Sequence, residues 1–223
     1  TDLAEFLNKA GAQISGIGTT RITLHGVPSL QGVTYSIIPD RIEAGTLLIA
    51  GAITNGHVHI KNANADHLTS LLDVLRECGF SVHTHDHTIE IQGQKFFQGT
   101  NIDTLPFPGF PTDMQAQMMP LLCLSQGDSI VKETIFENRF MHAQELKRMG
   151  ANIRLDDHYA FITGVPQLSA AEVKITDLRA GAALILAGLV AEGTTQVHGL
   201  HHLERGYDNL PEKLRSLGAI IHP

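Results

Sequence analysis

FPTDMQAQMMPLLCL (110–124) has two relatives in the same chain, IPDRIEAGTLLIAGAI (38–53) upstream and ITDLRAGAALILAGLV (175–190) downstream. Each places an Asp behind a Pro-containing or β-favouring entry, then runs into small and apolar residues for long enough to make a helix. None of the three has a polar face, and a helix without one must be buried. Their Gly and Ala content lets neighbouring backbones approach closely. The stretch therefore reads as one copy of a repeated unit, with helices packed centrally and sheets outside.

A second recurrent signal sets the period. FLNKAGAQI (6–14), LRECGFSV (75–82), LKRMGANI (146–153) and LRSLGAII (214–221) each end an amphipathic helix at a Gly and pass straight into an alternating strand. Gly11, Gly79, Gly150 and Gly218 suit the left-handed position beyond a helix C-terminus. They stand 68, 71 and 68 residues apart, the spacing of an internal repeat. Between these marks lie Gly turns at Gly56, Gly127 and Gly193, each followed by a strand in HVHI, SIVKETI or TTQV. GFSVHTHDHTIEIQG and GANIRLDDHYAFITG read as paired strands joined by polar turns. The expected fold is α/β, built from βαβαββ-like units with mixed sheets, three of them around a pseudo-threefold axis.

Residues 1–38 read as the second half of a preceding unit, and residues 39–223 as a three-unit domain lacking its closing strands. Either residues 1–38 fold back to complete the last unit or the chain is part of a longer protein. The second is the expectation, because an unpaired sheet edge is a liability in a free protein.

Composition narrows the function classes. The 223 residues are 43% hydrophobic and 17% charged, as in a globular protein. A net charge of −7 without any basic stripe argues against a nucleic-acid partner. No apolar run reaches the roughly 18 residues of a membrane span, and no basic segment precedes an apolar one as in a secretory signal. A cytoplasmic protein is expected. Cys78 and Cys123 lie in apolar surroundings and read as buried structural thiols.

The unusual charges sit at the repeat landmarks. Arg41 and Arg179 stand in helix first turns behind Asp40 and Asp177, where a cation opposes the helix dipole. Each either makes an anion site with the helix N–H groups or pairs with a nearby carboxylate. Twelve residues beyond the Gly turns, the second and third units carry Arg139 and Arg205, where the first carries Leu68. Asp113 has no Arg behind it and reads from the residues alone as a helix N-cap.

Together PDRIEAGT (39–46), PGFPTDMQAQ (108–117), ETIFENRFMH (133–142), TDLRAGAALILAGL (176–189) and HLERGY (202–207) resemble the UDP-N-acetylglucosamine enolpyruvyl transferases. PTDMQAQ and FENRFMH favour this branch over the shikimate-pathway enzymes of the same architecture. The resemblance implies an inside-out α/β barrel and an active site between two such domains. It implies a transferase of peptidoglycan precursor synthesis, with phosphoenolpyruvate and UDP-N-acetylglucosamine as substrates and no cofactor or metal. Asp113 would take the proton of the sugar 3-hydroxyl, with Thr112 beside it. Ile135 and Phe136 would line the UDP-sugar site. Arg179 and Arg205 would hold the phosphoenolpyruvate phosphate and carboxylate, and Arg139 would support the same cleft. The family's N-terminal Lys-Asn pair and its mobile loop bearing a reactive Cys or Asp have no counterpart here. The chain is thus expected to need an N-terminal half and to be inactive alone; the alternative is a non-catalytic binding module or an inert fragment.

Thirteen histidines raise the question of a metal, above all His83, His85 and His87, which would share a face on one strand. A hairpin turning within THDH would leave them solvated instead, and no metal is expected. His57 with His59, and His201 with His202, are read the same way. GIGTTR (16–21) reads as a turn between short strands.

Overall fold

The computed structural model describes residues 1–222 and divides into two compact units, Thr1–Asp40 and Arg41–Pro223. The first unit contains helix α1 (Asp2–Lys9) and an antiparallel hairpin of β1 (Gln13–Ser15) and β2 (Thr23–His25), with GIGTTR as its turn. Asn8 ties the helix to the hairpin: its amide donates to the Ile14 carbonyl at 2.7 Å and its carbonyl accepts from the Ile14 N–H at 2.8 Å. Tyr35 donates to the Asp2 carboxylate at 2.7 Å. Residues 26–40 form no strand.

The second unit begins with α2 (Arg41–Ile53), β3 (His57–Lys61), α3 (Thr69–Glu77), β4 (Ser81–His85) and β5 (Thr88–Gln92). Next come β6 (Ile102–Asp103), α4 (Thr112–Cys123), β7 (Asp128–Lys132), α5 (His142–Arg148), β8 (Asn152–Asp156) and β9 (Tyr159–Thr163). The last repeat holds β10 (Glu172–Lys174), α6 (Leu178–Val190), β11 (Gln196–His198) and α7 (Leu210–Ser216). The sheets run β3-β5-β4, β6-β7-β9-β8 and β10-β11. Only the second is mixed, with β6 parallel to β7 and the rest antiparallel. The first lacks a parallel partner because within the second unit no strand precedes α2, and the third ends at two strands among the described residues.

The same backbone devices recur in each repeat. Gly11, Gly79, Gly150 and Gly218 all have positive φ, between 91° and 104°. Each lets the following N–H reach back to the helix: Ala12 to Leu7, Phe80 to Leu75, Ala151 to Leu146 and Ala219 to Leu214, at 3.0–3.1 Å. These close the otherwise open carbonyls of each last turn. The Gly turns are less uniform. Gly127 and Gly193 take positive φ, whereas near Gly56 that conformation falls to Asn55 at 54°. Repeats are stitched alike: Gln98 N–H donates to Cys78 O at 2.9 Å, and Ser169 N–H to Met149 O at 2.8 Å.

The helices α2, α4 and α6 pack on one another, and Leu48, Ile49, Met118, Leu121, Leu184 and Leu186 are fully buried there. Each such side chain contributes about 1.5–3 kcal/mol. A Cβ at Gly45 would stand 2.7 Å from Leu71 Cδ2 of α3 and 3.0 Å from Met114 Cε of α4, so a larger residue there would have to displace the ends of those side chains. Strand alternation covers this core. Ile91 pairs with both Val58 and Val82 and faces inward, while Glu90 lies between His59 and His83 outside.

Two expected boundaries differ. SIVKETI does not continue as strand beyond Lys132, because the Glu133 carboxylate takes the N–H groups of Ile135 and Phe136 and turns the chain. Asp113 is not the cap of α4. The cap position is Pro111, without a side-chain bond, and the helix begins at Thr112. Asp177 is a cap, accepting from Arg179 N at 2.9 Å and Ala180 N at 3.0 Å.

Gly150→Ala tests the helix stops. A Cβ there would meet nothing within 4 Å, so only the positive φ of 91° opposes it. A loss of about 1–2 kcal/mol is expected in urea unfolding. Gly164→Ala is expected to lose more, since its Cβ would fall 1.8 Å from Ser125 O. The reverse order would count against this account.

Candidate active site

Asp113 stands in the first turn of α4, where free N–H groups and the helix dipole favour a carboxylate. Its Oδ1 accepts from Arg139 Nη2 at 2.7 Å and lies 3.5 Å from Arg179 Nε. The second distance is an ion pair too long for a good hydrogen bond. Asp113 is 39% exposed, whereas Arg139 and Arg179 are 19% and 13% exposed. Its Oδ2 holds no hydrogen bond among the described residues.

Arg139 precedes α5 and is fixed on two further sides. Its Nη1 donates to Thr112 Oγ1 at 3.2 Å, and its guanidinium lies 4.5 Å from the Phe136 ring centre. Behind Thr112 is Glu133, which is 1% exposed. Glu133 accepts from Thr104 Oγ1 (2.9 Å), Thr112 Oγ1 (2.8 Å), Ile135 N (2.9 Å) and Phe136 N (3.2 Å). Ile135 and Phe136 remain exposed.

Arg179 is held from the other side. Its guanidinium carbon lies 5.5 Å from the Tyr207 ring centre. The Tyr207 hydroxyl meets Thr46 Oγ1 at 2.9 Å and accepts from Gln117 Nε2 at 2.9 Å, so one phenol joins α2 and α4. Burial pushes that phenol's pKa up, against the lowering effects of Thr46 and Arg179. Arg179 Nε and Nη1 are buried without a hydrogen-bond partner. Unmet donors of this kind cost about 1–3 kcal/mol each.

The expected group is thus largely brought together: Thr112, Asp113, Arg139 and Arg179 are joined, with Ile135 and Phe136 on the same loop as Arg139. Arg205 joins none of these ion pairs. It ends the 3-10 turn Leu200–Arg205 with an exposed side chain, and the next residue, Gly206, backs onto α6. A Cβ at Gly206 would stand 3.5 Å from Arg179 Nη1. Leu68, the counterpart of Arg139 and Arg205, is buried. A cavity of about 240 Å³ opens beside Asp113, lined also by Arg41, Leu105, Phe107, Thr112 and Ile135.

The other candidates stay apart. The hairpin turns at Asp86 and His87, which separates His87 from His83 and His85 on β4. No group of three or more His, Cys, Asp or Glu among the described residues is placed to hold a metal ion. Both thiols are buried, and desolvation raises each to a pKa of about 12. No helix among the described residues is long and apolar enough to cross a membrane.

A model of the EPSP synthase (3-phosphoshikimate 1-carboxyvinyltransferase) family matches residues 1–214. The chain belongs to that family. It is 53% identical over 221 residues to UDP-N-acetylglucosamine 1-carboxyvinyltransferase 1 of Caldanaerobacter subterraneus subsp. tengcongensis, covering 99% of this chain and 53% of that protein. The corresponding figures for the protein of that name from Staphylococcus epidermidis are 54%, 99% and 52%. The chain thus spans about half the length of these relatives. Among solved structures, the enolpyruvyl transferase NikO from Streptomyces tendae has a TM-score of 0.88 at 30% identity, covering 99% of this chain and 53% of its own. An EPSP synthase from Acinetobacter baumannii shares the fold, with a TM-score of 0.67 at 20% identity over 85% of this chain and 44% of its own. The resemblance drawn from the five motifs is borne out, and the fold is the mixed α/β fold of enolpyruvyl transferases.

Glu133, Gln117 and Tyr207 escaped the sequence reading. Glu133 heads ETIFENRF and its signal was available: a carboxylate two and three residues before N–H groups that leave a strand. Tyr207 reaches Thr46 across 161 residues, which no local pattern reveals.

His142 lies under this group, fully buried, with Nε2 3.0 Å from Met119 Sδ. Its pKa is lowered from 6.5 to about 4, chiefly by desolvation, with Asp177 opposing and Arg139 adding to the fall. The unfolded chain therefore takes up a proton near pH 6.5 that the folded chain refuses until about pH 4. Stability from this group is complete above the upper value and falls as pH drops through the window. The loss should be on the order of 2–3 kcal/mol. Urea unfolding at pH 7 and pH 4.5 should show a part of that loss which His142→Phe removes; an unchanged slope in the variant would exclude His142 as its source.

Proposed function

We propose that this chain is the C-terminal portion of a cytoplasmic enolpyruvyl transferase acting in peptidoglycan precursor synthesis, and hence in cell-wall growth and division. It would move the enolpyruvyl group of phosphoenolpyruvate to the 3-hydroxyl of UDP-N-acetylglucosamine together with an N-terminal half. The carrying observation is the pairing of Asp113 Oδ1 with Arg139 and with Arg179 Nε, while the buried Arg179 Nη1 makes no hydrogen bond among the described residues. Fixed cations hold the carboxylate's orientation and leave Oδ2 to receive a hydroxyl proton. A phosphate or carboxylate would satisfy the remaining Arg179 donors. Arg205, exposed on the segment packed against α6, is the second cation for the same anion. Ile135 and Phe136, exposed beside the cavity, offer apolar contact to the sugar nucleotide.

Besides a base to take a proton back from the methyl as phosphate leaves, addition of the hydroxyl across the enol phosphate double bond needs an acid to protonate the methylene carbon. No residue of this chain is assigned that role. The purified 223-residue protein should therefore release no phosphate from phosphoenolpyruvate and UDP-N-acetylglucosamine. Steady release above a heat-killed control, abolished by Asp113→Ala, would reject the division of labour proposed here.

In the protein joined to an N-terminal half, Arg179→Ala and Arg205→Ala should each weaken phosphoenolpyruvate binding by about 1.5–3 kcal/mol. UDP-N-acetylglucosamine binding should change much less, and melting temperature little. Equal losses for both ligands would return these arginines to a structural role.

A further inference from the structure

Glu133 is a buried carboxylate with four hydrogen-bond donors and no cation against it. A side chain of this type is rarely wholly buried unless it is paired, so its partners identify its purpose. The four bonds divide unequally between its oxygens. Oε1 receives the Thr104 hydroxyl and the N–H groups of Ile135 and Phe136. Oε2 receives the Thr112 hydroxyl alone, at 2.8 Å. Thr104 is locked in turn, because it accepts from Thr134 N at 2.8 Å and its proton is left for Glu133.

We propose that Glu133 is a positioning residue for the site, acting through its two oxygens on two separate parts of it. Through Oε1 it fixes Ile135, which lines the cavity, and the exposed Phe136 that follows it. Through Oε2 it takes the Thr112 proton, which turns the Thr112 lone pairs toward Arg139 Nη1 at 3.2 Å. Arg139 then presents its other nitrogen to Asp113 at 2.7 Å. The orientation of Asp113 is thereby set from a residue that does not touch it. This rests on the function proposed above as far as the ligand is concerned, but the two arms of the positioning are properties of the chain itself.

Glu133→Gln separates the arms. Three donors converge on the Oε1 position, so the amide oxygen is held there and the amide nitrogen must face Thr112. The Ile135 and Phe136 bonds survive, while the Thr112 hydroxyl can no longer donate to residue 133 and its proton turns outward. Glu133→Ala removes both arms.

The test uses the protein joined to an N-terminal half, with UDP-N-acetylglucosamine as probe, followed by nuclear magnetic resonance. In Glu133→Gln the Arg139 side-chain signal should shift, with Ile135 and Phe136 amide exchange near that of the unsubstituted protein. Ligand affinity should fall about tenfold, the weight of one ordinary hydrogen bond. Thr112→Val should lower affinity similarly, and the double variant should be no worse than Thr112→Val alone, as for residues acting in series. In Glu133→Ala, Ile135 and Phe136 exchange should quicken at least tenfold; should that variant not fold, Glu133→Gln and the double variant decide alone. Unchanged Arg139 signal and affinity in Glu133→Gln, or strictly additive losses in the double variant, would overturn the proposal. If the unsubstituted chain shows no response to the ligand at Asp113, Ile135 or Phe136, the proposed function fails instead. The Arg139 signal and the amide exchange then settle the positioning by themselves.

Discussion

A helix such as α6, with Ala180 through Ala187 all buried, has no face to offer water and must be surrounded by other structure on every side. The same holds for α2 and α4, so the three can only be covered if they pack on one another and the sheets close over them. Gly45 and Gly51 ease that approach, since a Cβ at either would fall within 2.7 Å of a neighbouring side chain. The consequence for the site is positional. Buried helices can carry charge only near their ends, and the first turns of α4 and α6 bring Asp113 and Arg179 within 3.5 Å.

The polar atoms that do enter this core are few and tied together. Gln117 donates to the Asp113 carbonyl at 2.8 Å as well as to Tyr207, and Thr46 donates back to Ile42 O at 2.8 Å. A buried network is stabilising when its members are satisfied and costly when they are not. Here its inner part is nearly complete, whereas unmet donors gather on Arg179 at its outer end. The better-satisfied part of the network thus stands behind Arg179.

Much of the fold was legible because its signals are local. A Gly after an amphipathic helix announces the same left-handed stop four times, and that stop depends on residues within one turn. The helix starts were harder, although Thr112-Asp113 and Thr176-Asp177 look equivalent. Pro111 takes the cap position of α4 and the helix begins at Thr112, whereas α6 begins at Leu178 with Asp177 outside it. The same dipeptide therefore gives an ion-pairing carboxylate in one repeat and a cap in the other. The links from Glu133 to Thr112, and from Tyr207 to Thr46, join residues 21 and 161 positions apart. They are created by packing and leave no periodic trace. Arg205 shows the converse: its place in the repeat was readable, but its side chain joins no partner that would have fixed its direction.

The charges at the helix starts have opposite signs, and their energies differ accordingly. A carboxylate such as Asp113 gains about 0.3–1 kcal/mol from the N-terminal dipole, while an arginine such as Arg179 loses a similar amount. Reaching across to Asp113 recovers part of that loss, because Arg179 is shielded from water even though Asp113 is not. Nε and Nη1 of Arg179, buried without a hydrogen bond among the described residues, still cost more than the dipole terms. Their deficit is carried by the apolar packing of α6, whose buried side chains each contribute on a scale comparable with it. Substituting Arg179 by an apolar residue would relieve this local cost, so its stability alone does not account for an arginine there. What the arginine supplies is fixed positive charge beside a carboxylate that Arg139 has already oriented.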